Sequence, residues 1–479
     1  MKLEEIKNSK TFCFYPYLQL STVPSGFLKP CCFYEDVLTD ANDTKLKVDK
    51  NNLESVWNSD GIQKIRNKMA CGDKVDGCRQ CYREEEHSGT SMRMRGIREW
   101  ADRGEVVEAV NATIANNGVA SHSPKILELK PGNSCNLKCR MCNKFDSNQI
   151  DIELHEISKK RPWIVPEHYD RVKSRAIFES GFDTKSMSDW SQSSVFWNDV
   201  YNNSKNLERL GFAGGEPSLI PEVKKLIKHL VTTGDSKHIN VYYTSNMTNL
   251  SEDLIDLAKQ FRTFTFIASI DGTKSVQEYV RFPSKWPTVK ENFERLKNLI
   301  DEDQFRVIAN FTVQAYNICD LVDFLDWMEE LDRDYPAFIQ NPVSLNLLTN
   351  PDFLDIQFLP RKVKMYASRR IDEYWRRTKL QRFPDFKARL QMVQSVLNRP
   401  GPDICDLKMS DFIDFTRILD DHRNQDLRNI NPFLFYSCLE DTDVDIPRSI
   451  SRIKNKLQRL YVQRPVQKIW GKISRSIDG

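Results

Sequence analysis

The sequence predicts an α/β fold built on a parallel sheet, with a cysteine-rich segment before it and a helical extension after it. Three observations carry this. From about residue 121 short apolar strand candidates alternate with helical stretches, the pattern that crossover-connected parallel strands require. Glycines stand just after several of those strands. Six of the 12 cysteines fall before residue 82, so the leading segment has a composition of its own.

Residues 1 to 110 read as one unit. Tyr15 to Leu20 and Phe27 to Cys32 are short β-like runs joined by the turn-prone Val23-Pro24-Ser25-Gly26. Leu53, Val56, Trp57, Ile62, Ile65 and Met69 then recur at near-helical spacing. Residues 121 to 345 form the second unit. Its strand candidates are Ile126 to Leu129, Arg209 to Ala213, Ile239 to Thr244, Thr263 to Ile270 and Arg306 to Val313. The runs after Pro221, Ser251, Thr273, Thr288 and Cys319 read as helices. An insertion at about 145–206 carries Trp163, Trp190, Phe196 and Trp197 among many charges, suiting a lid, a binding loop or a surface elaboration. Residues 346 to 479 read as helical, from Val363, Met365, Tyr366, Ile371, Tyr374 and Trp375. They end in a basic tail, Pro447 to Ile477, with Ile450, Ile453, Leu457 and Leu460 on one helical face. That face suits a packing helix, a frayed end, or a partner or lipid surface.

At 479 residues the chain is long enough for about three domains. Its 70 basic and 67 acidic residues nearly cancel, which argues against a nucleic-acid binder or a membrane-surface protein. The start, Met1-Lys2-Leu3-Glu4-Glu5-Ile6-Lys7, has no apolar core of signal-peptide length, and no apolar run reaches the ~20 residues of a membrane span. A soluble, cytoplasmic protein is expected. Cys319, Cys405 and Cys438 are scattered and read as small buried hydrophobes.

Cys135, Cys139 and Cys142 share one loop after the strand Ile126 to Leu129. Three thiolates so placed can hold three irons of a four-iron cubane and leave the fourth open, and an open position marks a catalytic metal site. The same loop alone also suits a zinc knuckle. In parallel α/β folds, chemistry collects at the carboxyl ends of strands.

This spacing, with Asn136 after the first cysteine, resembles the radical S-adenosylmethionine (SAM) enzymes. The likeness spans about 200 residues. Gly214-Gly215-Glu216-Pro217 looks like the family's motif that meets the methionine amino group of SAM. Tyr243-Thr244-Ser245-Asn246 stands where the family contacts ribose. Ser269-Ile270-Asp271-Gly272 with Arg281 resembles the motif whose serine and arginine reach the SAM ribose or carboxylate, and Asn310 and Val313 would border the adenine. Two departures are plain: Met141 replaces the aromatic residue usual before the last cysteine, where it would pack on the adenine, and Met247 replaces a glycine after the ribose-site asparagine. The resemblance implies a partial (β/α)6 TIM-like barrel as the radical SAM core.

The leading cysteines resemble an auxiliary-cluster module, the twitch (SPASM-like) domain, a small β-hairpin/helix iron-sulfur domain that usually follows the barrel. Cys13, Cys31, Cys78 and Cys81 would close a second [4Fe-4S] cluster, with Cys32 and Cys71 as spare candidates. Glu84 and Ser91-Met92-Arg93 also match. A structural zinc site suits the same cysteines. The implied activity is reductive cleavage of SAM to a 5′-deoxyadenosyl radical that takes hydrogen from a substrate, foremost a peptide or protein side chain. A small molecule or nucleotide is the second substrate class, and a non-catalytic metal-binding scaffold the other kind of reading. The implied cofactors are a [4Fe-4S] cluster at each site and SAM, with an electron donor such as flavodoxin or ferredoxin as partner.

Overall fold

One mostly parallel sheet organises the chain. Its strands are β1 (Gln19–Thr22), β2 (Leu28–Lys29), β3 (Ile126–Leu129), β4 (Arg209–Phe212), β5 (Asn240–Ser245), β6 (Thr263–Ser269), β7 (Phe305–Val313) and β8 (Val343–Leu347). They lie side by side in the order β2, β1, β3, β4, β5, β6, β7, β8. Among the described strands of this sheet, only the β1–β2 pair is antiparallel. The computed structural model describes residues 1–89, 91–160, 189–297, 299, 304–334, 343–401 and 405–440.

The alternation along β7 shows how the sheet divides its faces. Phe305, Val307, Ala309, Phe311 and Val313 are buried, while Arg306, Ile308, Asn310 and Thr312 are more open. The buried face lies under helices: Phe311 meets Phe324 of the helix Leu321–Asp334 at 4.7 Å between ring centroids. The opposite, inner face is polar. Pairing aligns Lys29, Ser21, Glu128, Gly211, Tyr242, Thr265 and Arg306 in one row across seven strands. Gly211 leaves the room Glu128 uses, since a Cβ there would sit 3.2 Å from Glu128 Cγ.

Local signals set the crossover helices. Pro221 opens the helix Pro221–Thr233 at a position where a missing N–H costs nothing, and Gly234 closes it at φ +84°. Ser251 caps the helix Glu252–Ala258 by accepting from Leu254 N at 3.3 Å.

The leading segment departs from expectation in detail. Tyr15–Leu18 is a short helix and the strand begins only at Gln19. Phe27 to Cys32 shortens to Leu28–Lys29. The expected single helix is two, Leu53–Trp57 and Asp60–Ala70, broken where Asn58 ends the first. In the insertion, Trp190 donates to Pro24 O at 2.6 Å and Asp199 accepts from Leu53 N at 2.9 Å, so its described part covers the leading hairpin. Trp163 and the basic tail from Pro447 lie outside the described residues. The described residues after β8 include the helices Arg361–Arg377, Pro384–Asn398, Cys405–Arg423 and Pro432–Glu440. No described helix is long and apolar enough to cross a membrane.

Candidate active site

The three-cysteine loop leaves the carboxyl end of β3 and is tied down at every turn. Asn148 Oδ1 accepts from Cys135 N at 3.1 Å, and Ser147 Oγ donates to Leu137 O at 2.8 Å. Lys138 N and Arg140 N donate to Phe282 O (2.6 Å) and Val280 O (2.8 Å), which docks the loop on the end of the helix Lys274–Val280. Burial pushes the Cys139 thiol up to about 12 and raises Cys135 and Cys142 as well. Protonated thiols of this kind become ligands when a metal displaces the proton. Arg281 opposes the rise at Cys139, its Nη1 lying 3.9 Å from Cys139 Sγ. Arg281 is aimed there by Asp271, which is fully buried, accepts from Arg281 Nε at 2.7 Å and is itself held by Thr312 N at 2.7 Å.

The glycine-rich motif runs against this loop. A Cβ on Gly215 would fall 2.2 Å from Ser134 O, and Glu216 N donates to that same oxygen at 2.7 Å. Gly214 takes φ +99°, open to glycine without strain. Glu216 is fully buried. Its carboxylate accepts from Asn246 N (2.7 Å), Ser245 Oγ (3.1 Å) and Ser218 N (3.3 Å). Burial raises its pKa, and those hydrogen bonds pull it back. Glu216 therefore fastens the end of β5 to the loop after β4. Pro217 begins the short turn Pro217–Leu219 behind it. Asn246 Nδ2 donates to Asn136 Oδ1 at 2.9 Å, linking the expected ribose-site residue to the cysteine loop.

Ser269 closes β6 and is nearly buried, and Met141 is half-buried beside the last cysteine. Asn310 faces inward and accepts from Asn346 Nδ2 at 2.6 Å. Val313 is not brought to the site: it shares the fully buried face of β7 with Phe311, under the helices.

The second cysteine set also gathers. Cys13 precedes the helix Tyr15–Leu18, Cys31 follows β2, and Cys78 and Cys81 flank the start of the helix Arg79–Ser88. Cys31 feels Cys13, Cys78 and Cys81, and burial is the main cause raising all four thiols, Cys78 to about 12. Arg93 stands beside Cys13 and donates to Glu85 through Nε (2.9 Å) and Nη2 (2.6 Å). The acid that Arg93 meets is thus Glu85. Of the spare cysteines, Cys32 turns away to Glu128 and Cys71 is exposed. Among the described residues no three His, Cys, Asp or Glu are placed to hold a single metal ion. All-sulfur donor sets, half-buried to buried and each beside an arginine, have the donor chemistry that an anionic iron-sulfur cluster would need.

Arg140, between the second and third cysteines, drew no expectation. It is buried, lies 3.6 Å from the centroid of the Tyr279 ring, and donates to Asp420 at 2.5 Å and Gln425 at 3.0 Å. Arg423 donates to the buried Glu153 at 2.9 and 2.6 Å. The end of the helix Cys405–Arg423 therefore grips the cysteine loop and the helix Asn148–Lys160 that follows it. A cleft of about 1570 Å³ runs over the leading segment, from Lys29 and Cys32 past Tyr34, Lys68 and Arg83 to Asn350 beyond β8.

No protein-family model matches the chain, and no curated protein matches it. Among solved structures it is similar to anSMEcpe with bound AdoMet and Cp18Cys peptide, at 14% identity and TM-score 0.31, over 52% of this chain and 59% of that one. Streptococcus suis SuiB bound to S-adenosylmethionine matches at 12% identity and TM-score 0.32, over 70% and 66%. TYW1 with a lysine-pyruvate adduct matches at 14% identity and TM-score 0.27, over 51% and 72%. The chain spans about six tenths of the length of the first of these.

Proposed function

We propose that this chain is a radical SAM enzyme that modifies a peptide or protein side chain. The observation that carries the reading is the meeting of four separate sequence motifs at the carboxyl ends of β3 to β6, around Cys135, Cys139 and Cys142. A [4Fe-4S] cluster there, with SAM on its open iron, supplies one-electron cleavage of the sulfonium and hence hydrogen abstraction from an unreactive carbon.

The chain's own residues position and shield. Cys135, Cys139 and Cys142 would hold three irons of the first cluster. Arg281, set by Asp271, offsets the negative charge of the cluster. Gly214 and Gly215 let backbone approach where SAM binds, and Asn246 meets its ribose. Cys13, Cys31, Cys78 and Cys81 would hold a second [4Fe-4S] cluster, whose chemistry would be to accept an electron or bind substrate, and flavodoxin or ferredoxin would be the electron donor. The resemblance of the leading cysteines to the twitch module, which often accompanies peptide modification, supports this substrate class.

The test is anaerobic reconstitution followed by reduction with dithionite. About eight irons per chain are expected for two clusters, with 5′-deoxyadenosine formed from SAM. Replacing Cys135, Cys139 and Cys142 with Ala should halve the iron and abolish 5′-deoxyadenosine. A fully loaded protein that never forms 5′-deoxyadenosine would sink the proposal.

A further inference from the structure

The cleft over the leading segment runs past the second cysteine set without meeting it. Gly77, Arg79, Gln80 and Tyr82, which flank Cys78 and Cys81 in sequence, line the cleft, as do Phe33 and Tyr34 shortly after Cys31. Among the described residues that line it, Cys13, Cys31, Cys78 and Cys81 do not appear, whereas the spare cysteines Cys32 and Cys71 do. Cys78 is half-buried, so its remaining exposure faces away from the cleft.

Packing explains the separation. The Tyr34 ring presses on the backbone of Gly77, the residue before Cys78. A Cβ on Gly77 would overlap Cε2 and Cζ of that ring and lie 2.8 Å from its Cδ2. Gly77 takes no positive φ, so room for the ring, rather than backbone freedom, is what the missing side chain provides. Backbone bonds hold the two segments together: Tyr34 N donates to Cys31 O at 3.3 Å and Glu35 N to Gly77 O at 2.9 Å. Tyr82 continues the wall, its hydroxyl accepting from Val75 N at 3.3 Å. After burial, the charge of Cys78 is what raises the Tyr34 hydroxyl most, in keeping with a ring set beside that thiol. The ring is half-buried, with the cleft on one side of it and the cysteines behind.

We propose that Tyr34, seated on Gly77, walls the second cluster off from the cleft, so that water, chelators and small oxidants entering there meet the ring and not iron. This rests on the reading of Cys13, Cys31, Cys78 and Cys81 as a cluster site. The shell around a metal site controls solvent access, and solvent access in turn tunes an iron-sulfur cluster. Tyr34 is a positioning residue of this kind: it supplies no ligand and acts by the space it fills. A molecule bound in the cleft reaches the cluster only if the ring swings away.

The full-length reconstituted protein is mixed anaerobically with the chelator bathophenanthroline disulfonate, and iron release is followed by absorbance. Of the about eight irons of two clusters, about four should leave faster from Tyr34→Ala than from the wild type. The factor should be about tenfold, the lower end of what loss of a metal site's surroundings costs. Tyr34→Phe keeps the ring and should release iron as the wild type does. Gly77→Ala pushes the ring aside and should show the same fast phase, which keeps the test intact if Tyr34→Ala does not fold. Combining the two substitutions should add nothing to either, since both act on one ring. The other about four irons should leave at the wild-type rate throughout, whereas a merely loosened fold would speed both phases. Wild-type release from the Ala variants, fast release from Tyr34→Phe, additive effects in the double variant, or equal acceleration of all the iron would each overturn the proposal. A wild type holding only about four irons would remove the second cluster and this inference with it, leaving SAM cleavage by the first intact. A wild type that forms no 5′-deoxyadenosine would defeat the radical reading and leave this one standing, because iron release needs no SAM.

Discussion

Single residues at the site obey steric rules that the sequence shows only as letters. Gly215 must be glycine because Ser134 O already occupies the space of a Cβ. Met247, by contrast, takes φ +60° with a buried side chain, a conformation glycine adopts freely and other residues adopt at a cost of about 1–2 kcal/mol. The motif glycine missing at this position is thus a backbone requirement met here under strain. Gly215→Ala should force the cysteine loop aside, costing about 1–3 kcal/mol as an overpacked contact and lowering the iron held by Cys135, Cys139 and Cys142. Gly234→Ala makes the comparison: its φ is +84° but nothing lies within 4 Å of the added methyl. It should cost stability without touching iron content. Iron per chain and chemical denaturation of both variants check this, and equal iron loss in the two would refute the steric account. Glu85 shows the other limit of reading residues singly. Nothing in the spacing tells it from Glu84, and only the helix turn that faces it toward Arg93 decides.

Among elements, the strands of the core were legible and their clamp was not. Five parallel strands begin and end within one residue of the apolar runs that predict them, because buried strands need continuous β-branched or aromatic residues. β8 passed unnoticed, since Val343-Ser344-Leu345-Asn346-Leu347 is a short, half-polar edge strand. Tyr15 to Leu18 looked like a strand because a short apolar run suits helix and strand alike. The grip of Asp420 on Arg140 joins residues 280 apart, and no local pattern reports such a pairing. It has a definite consequence. Asp420→Ala should leave the Arg140 charge buried without its partner and cost about 3–5 kcal/mol. Arg140→Met added to Asp420→Ala should recover much of that, because no orphaned charge remains. A double-mutant cycle by urea denaturation measures the coupling, and additive effects would show that the extension lies against the loop without holding it.

At the scale of the whole molecule, the leading segment and the parallel sheet were predicted from composition as separate units, yet they share backbone. β1 pairs in parallel with β3 through Gln19, Leu20 and Ser21. Across the expected boundary Trp57 Nε1 donates to His122 O at 2.6 Å, and Glu208 accepts from Arg103 Nη1 at 2.6 Å. Composition marks where residue usage changes, but hydrogen bonding decides what opens together. The two cysteine sets are therefore fixed relative to each other by a continuous sheet, a useful trait if an electron or a tethered substrate must pass between them. Elements in one cooperative unit exchange amide hydrogens with similar opening free energies. The amides of β1 and β3 should accordingly be protected to within about 1 kcal/mol of each other in native-state hydrogen exchange of the reconstituted protein. If β1 opens several kcal/mol more readily than β3, the leading segment is an appended module, and the fixed spacing between the two cysteine sets is lost with it.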